Sequence, residues 1–164
     1  MKALTISSLI LSLFAFSGCQ TTEQFVPVEY SSVIGVENKS KNEIYSKARQ
    51  WFSHHFVSGE SVVDYEDKTE GTIIGNGITN IGTTALGMVK EEIEFQIRVD
   101  TKDGRFRTET KITKHYNVDS QNGRYEASWV TPERKLKAEA AVERTVASLK
   151  SYVTDRTSKS NTDW

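Results

Sequence analysis

The sequence is short of the residues that usually announce a chemistry. A single cysteine, Cys19, occurs in 164 residues, so no internal disulfide can close and no multi-cysteine zinc site is possible. Histidine is scarce: His54, His55 and His115 are the three, none in an HExxH pattern. Neighbouring helical residues project about 100° apart, which keeps His54 and His55 from sharing an ion. No metal is expected. A basic excess is also missing, since 21 Lys and Arg face 22 Asp and Glu; neutralising a phosphate backbone needs such an excess, so nucleic acid is not an expected partner. No apolar run reaches the roughly 18 residues that span a bilayer. The stretch GNGITNIG begins like a phosphate loop, but Asn80 stands where the third glycine of GxGxxG belongs and no Walker lysine follows. No GxSxG nucleophile motif occurs. No cofactor is expected.

What is present begins at the N-terminus. Lys2 gives a positive start, Leu4 to Phe16 an apolar stretch, and Ser17 and Gly18 small residues at a cleavage point, which together spell an export signal over residues 1–18. A signal that ends in small residues and then Cys resembles the bacterial lipoprotein signal, although Phe16 stands where that pattern usually has Leu. The resemblance implies that Cys19 is acylated and becomes the first mature residue. The alternative is a plain secretory signal that leaves an unpaired exported thiol, which acylation explains better. Each buried methylene contributes about 0.8 kcal/mol, so several acyl chains on Cys19 would hold the protein on a membrane. Gln20 follows in place of the Asp that often retains such proteins at the inner membrane, and the expected location is the outer membrane, facing the periplasm.

Residues 19–28 then form a short polar tether, 29–154 one α+β domain, and 155–164 a polar tail that ends in Trp164. The run VEYSSVIGVE is β-prone. SKNE at 40–43 spells a capping box, with Ser40 and Glu43 placed to satisfy each other's backbone donors. Ile44, Ala48, Trp51, Phe52 and His55 recur at helical spacing, Phe56 adds to the stripe, and Gly59 is placed to end the helix. SVVDYED and GTIIGNGI read as a hairpin. Gly75 and Gly77 share one face of its second strand, where a large aromatic such as Trp51 or Phe52 can approach closely. Residues 80–87 read as a loop or an irregular edge.

The strongest pattern follows. Ile93, Phe95, Ile97 and Val99 alternate with polar residues, Asp103 and Gly104 supply a turn, and Phe106, Ile112, Tyr116 and Val118 continue the alternation. With the turn centred on Asp103 and Gly104, Asp100 faces Arg107, Arg98 faces Glu109 and Glu92 faces His115, all charge-compatible, while Phe95 faces Ile112 on the other side. Thr131 as N-cap, Pro132 at the first position and Glu133 in the first turn open a closing helix. Its expected buried stripe is Ala138, Val142, Thr145, Leu149 and Tyr152. The order is therefore β-α-β-β-β-β-α, an antiparallel sheet with two helices packed on one face and the other face open to water.

KNEIYSKARQWF in the first helix, SVVDYEDKTEGTIIGNG across the first hairpin, the charged hairpin and the closing helix together resemble the DUF4468 family of domains of unknown function, over about residues 30–153. The resemblance implies a TATA-binding-protein-like (TBP-like) fold and an envelope location. It brings no catalytic residues, and a fold name does not import DNA binding.

The candidate binding face is the open side of the sheet: Glu92, Glu94, Gln96, Arg98, Asp100, Arg107, Glu109, Lys111 and His115. It reads either as a merely solvated surface or as a docking surface for another envelope protein or a polar ligand, its charges giving orientation more than affinity. A second reading is a small-ligand carrier that binds between helices and sheet near Gly75 and Gly77. A third is a hydrolase using the acidic group Asp64, Glu66, Asp67 and Glu70, which would need a buried or like-charged carboxyl. The preferred expectation is a non-enzymatic binding or accessory module. The oligomeric state is left open.

Overall fold

In the computed structural model the described residues are 28–56, 63–127 and 131–155. Residues 1–27, which include the expected export signal and Cys19, together with Gly59, placed to end the first helix, and residues 156–164 lie outside them. The elements in chain order are β1 (Val28–Gly35), α1 (Lys41–His55), β2 (Val63–Asp67), β3 (Thr72–Thr84), a short 3-10 turn (Ala85–Gly87), β4 (Val89–Lys102), β5 (Arg105–Asp119), β6 (Gly123–Glu126) and α2 (Pro132–Thr154). The strands form one antiparallel sheet in the order β1-β5-β4-β3-β2, with β6 also on β5. The fold is α+β, with both helices on one face of the sheet.

Local chemistry explains the element boundaries. The Ser40 side chain accepts from the Glu43 amide while the Glu43 carboxylate accepts from the Ser40 amide at 2.8 Å, so α1 opens on the expected capping box. The Asp103 side chain also accepts from the Lys41 amide at 2.7 Å. The β4–β5 turn therefore serves twice: Gly104 takes the positive φ of +72° that the tight turn demands, and its neighbour caps a helix. Thr131 caps α2, accepting from the Arg134 amide at 3.3 Å, with Pro132 in the first turn.

The core lies between the helices and the inner side of β3, β4 and β5. Ile44, Ala48, Phe52, Ile93, Phe95, Ile97 and Val99 have no exposed surface, each large one contributing about 1.5–3 kcal/mol by its burial. Trp51 joins them and donates its indole N–H to Ser148 Oγ at 3.1 Å, tying α1 to α2. The residue that uses the missing side chain of Gly77 is Phe56, with Phe95, rather than Trp51 or Phe52. A Cβ at Gly77 would lie 2.4 Å from the Phe56 ring and 2.8 Å from that of Phe95. The site expected near Gly75 and Gly77 is thus filled by aromatic rings at Gly77.

Other expectations need correcting. Residues 80–84 continue β3 and pair with Glu92 back to Val89, since a bulge at Ile81 lets the ladder resume beyond Asn80. β6 was not expected; its four residues are polar and carry no alternation. In α2, Val153 is buried where Tyr152 was expected, and Tyr152 is half-buried with its ring 6.2 Å from His54. His55 does rim the core, stacked on Trp51 at 4.6 Å, and burial pushes its pKa down.

Candidate functional site

β4 and β5 pair from Lys102↔Arg105 down to Phe95↔Ile112 in the register that the Asp103–Gly104 turn sets, with Asp100 opposite Arg107 and Arg98 opposite Glu109. Beyond Phe95 a bulge shifts the pairing by one residue, so that His115 faces Ile93 and Glu92 faces Tyr116. The expected Glu92–His115 pair does not form. His115 leaves the open face altogether and is 1% exposed on the inner side. The other members of the candidate face, Glu92, Glu94, Gln96, Arg98, Asp100, Arg107, Glu109 and Lys111, do share the outer side.

Their side chains are held to one another. Asp100 is the hub: its carboxylate accepts from Arg98 at 3.0 Å, from Arg107 at 2.9 Å and from the Thr72 hydroxyl at 2.8 Å. Partial burial works against its ionisation, and the hydrogen bonds from Arg98, Arg107 and Thr72 outweigh that, holding the carboxyl down at about 2. Arg107 also meets Glu109 at 3.2 Å, and Lys111 meets Glu29 of β1 at 3.4 Å. Past the bulge, Glu94 accepts from the hydroxyls of Tyr116 at 3.0 Å and Thr113 at 3.1 Å. Arg124 of β6 reaches Glu92 at 2.6 Å and lies over the Tyr116 ring. Val33 and Tyr65 are the well-exposed apolar residues along the strands of this face. A groove of about 400 Å³ at the turn end runs between Val33, Arg98, Asp100 and Arg105.

The acidic group of the first hairpin is not brought together. Asp64 accepts from Asn76 at 2.5 Å, Glu66 pairs with Arg49 of α1, and Asp67 accepts from the amides of Thr69 and Glu70 to close its own turn. Asn76 belongs to the outer side and Arg49 to the helix layer, so Asp64 and Glu66 work on opposite sides of the sheet. Among the described residues no cluster of His, Cys, Asp and Glu has the geometry to hold a metal. None of their helices is long and apolar enough to cross a membrane.

Two inner-side features escaped the sequence reading. Glu91 is fully buried and its carboxylate takes a 2.5 Å bond from Arg134 Nε of α2, with His115 Nε2 at 3.9 Å. The signal was present: Glu91 has the parity of Ile93 and Phe95, which points it inward. Thr108 and Thr110 likewise share the parity of Phe106 and Ile112, placing hydroxyls in the core stripe beside β1.

A family model described as a domain of unknown function (DUF4468) with TBP-like fold matches residues 30–115. The chain belongs to the DUF4468 family. Among solved structures it is similar to a TBP-like protein from Parabacteroides distasonis, with 21% identity and a TM-score of 0.58, covering 79% of this chain and 94% of that one. It is also similar to a DUF4468 family protein from Bacteroides ovatus, with 18% identity and a TM-score of 0.50, covering 73% and 85%. These likenesses carry the fold. No curated protein matches at a significant level. The match spans β1 to most of β5, so this DUF4468 chain draws the helix-capping turn, the Asp100 hub and the bulge from the family region, while β6 and α2 lie beyond it.

Proposed function

We propose that the protein is a lipid-anchored module of the cell envelope, tethered by acyl chains on Cys19 to the periplasmic side of the outer membrane, that docks another envelope protein through its open sheet face and catalyses no reaction. The observation that supports docking is the Asp100 hub. Long charged side chains are normally costly to immobilise on binding, at about 0.5–1.5 kcal/mol each. Here Arg98 and Arg107 are already held by Asp100, with Glu109 and Lys111 tied in beside them. A face arranged in advance gives a partner fixed charges of both signs to match, which favours specificity. Val33, 67% exposed at the edge of that array, supplies an apolar contact.

The test is crosslinking in intact cells with a photoreactive residue at position 111, and at Lys135 on the exposed side of α2 as control. A discrete protein adduct from position 111 and none from 135 supports the docking face. Identical adducts from both positions, or none from position 111, overturn it. The anchor is tested separately: labelled palmitate should enter the wild-type chain and be lost in Cys19→Ser, and retention of label in that variant would overturn acylation at Cys19.

A further inference from the structure

A groove of about 400 Å³ opens on the inner side of the sheet, between the β1–β5 pair and α2. Its floor is Thr108 and Thr110 of β5, its side Tyr30 of β1, and its far wall Val142 and Val146 of α2. Lys150 stands at the end of that wall, one more helical step along, so residues 142, 146 and 150 form a single i, i+4 stripe aimed at β1. α2 packs chiefly on α1 and β3.

Two of the residues that line this groove carry anomalous hydroxyls. Tyr30 and Thr110 are directly opposed across β1 and β5. Tyr30 Oη and Thr110 Oγ1 are both shut off from solvent, and neither has a hydrogen-bond partner among the described residues. Thr110 as a whole is 2% exposed. A buried polar group left unsatisfied costs about 1–3 kcal/mol, and valine and phenylalanine would fill the same space without that cost. The space beside them greatly exceeds the roughly 30 Å³ of one water and falls in the size range of small-molecule sites, about 300–1,000 Å³.

We propose that this groove is a binding site for a small uncharged amphiphile, an apolar molecule headed by a hydroxyl or carboxamide group. The apolar body lies along Val142 and Val146, and the head both accepts from and donates to Tyr30 and Thr110 once their side chains turn their sealed hydroxyls toward it. A head of that kind uses both hydroxyls at once, whereas a plain hydrocarbon leaves both unsatisfied. An anionic head is opposed by Glu143, which borders the groove, and by nearby Glu139; Lys150 offsets one of these charges. The same surroundings are visible in Tyr30, whose phenol is pushed up by burial and then by the carboxylates of Glu139 and Glu143. The groove lies on the opposite side of the sheet from the docking face, so the two proposals stand or fall separately.

The test uses the full chain in phospholipid nanodiscs with hexanamide and 1-hexanol as probes and hexanoate as the charged counterpart. Methyl NMR should show saturable shifts at Val142, Val146 and Thr110 with hexanamide and 1-hexanol, and at least tenfold weaker binding of hexanoate. Thr110→Val and Tyr30→Phe should each weaken hexanamide binding about tenfold, the equivalent of 1.4 kcal/mol, while the melting temperature without probe stays level or rises. That opposition separates the proposal from a structural role, in which Thr110→Val lowers the melting temperature. Absence of saturable shifts, equal binding by the variants, equal binding of hexanoate, or contacts showing that the chain's own N-terminal residues fill the groove would each overturn it.

Discussion

The two halves of the β4–β5 hairpin treat a carboxylate in opposite ways. In the turn half, Asp100 sits on the outer side and is satisfied by neighbours within the sheet, Arg98, Arg107 and Thr72. In the half beyond the bulge, Glu91 is sealed on the inner side and its charge is met by Arg134, which is 43 residues away in sequence. Both are acidic residues on one strand. The first is stabilised by strand register and the second by the docking of a helix. Register-based partners hold wherever the hairpin forms; a helix-based partner holds only when the whole domain is assembled. Glu91 therefore depends on tertiary structure in a way that Asp100 does not.

The sharpest way to break this contrast is at Arg134. Arg134→Met removes the cation and leaves Glu91 buried without it, and the expected loss is about 3–5 kcal/mol, read from the urea midpoint. The double variant Glu91→Leu with Arg134→Met should recover most of that loss, because an apolar pair of similar volume avoids the desolvation cost of the ions. A single variant as stable as wild type would show that the inner carboxylate is not held by α2.

A smaller effect is expected where the halves meet. Gly77 pairs with Phe95, the last residue before the register shifts. Gly77→Ala forces a Cβ against the Phe56 and Phe95 rings and should cost about 1–3 kcal/mol by overpacking. Adding Phe56→Leu should restore part of it, as measured by the same denaturation curve.

Acid titration sharpens the contrast on the Asp100 side. The carboxyl titrates at about 2 in the folded chain against an ordinary 3.8. A depressed carboxyl contributes stability that is fully present above its unfolded value and is lost as pH falls through its folded one, so the loss should fall between about pH 4 and pH 2. Arg98 and Arg107 are 42% and 48% exposed, and solvent screening reduces the contribution to about 1 kcal/mol. Asp100→Asn should flatten the stability profile across that window while leaving it unchanged in slope at neutral pH. The smallest effect belongs to the half-exposed Arg124–Glu92 pair at the bulge end: Glu92→Gln should change stability by about 0.5 kcal/mol, and 1 M salt should reduce the difference.

These differences also mark where the sequence was readable. In the turn half, strict alternation and Asp103–Gly104 specify register and face together, because a period of two admits no other side for Phe95 or Ile112. The bulge had no such marker. Thr113, Lys114 and His115 are all polar, so a shift of one residue among them leaves no apolar side chain misplaced, and His115 was assigned to the wrong side. The helix caps, the Ser40–Glu43 box and the Thr131 N-cap, were readable because they are local, each joining a residue to one three positions on. The Gly77 contact was readable as an approach but not by its owner: Phe56 terminates α1, and which ring arrives depends on where the helix lies.

Length, charge balance, the lone Cys19, the helix caps and the hairpin turn were determined by the sequence alone, because each rests on residues adjacent in the chain or on composition. The inward turn of His115, the Glu91–Arg134 bond and the groove bordered by Tyr30, Thr110 and Val142 were decided only by tertiary structure. The first depends on a bulge between paired strands, and the other two need elements far apart in sequence set at one distance by how α2 rests on the sheet.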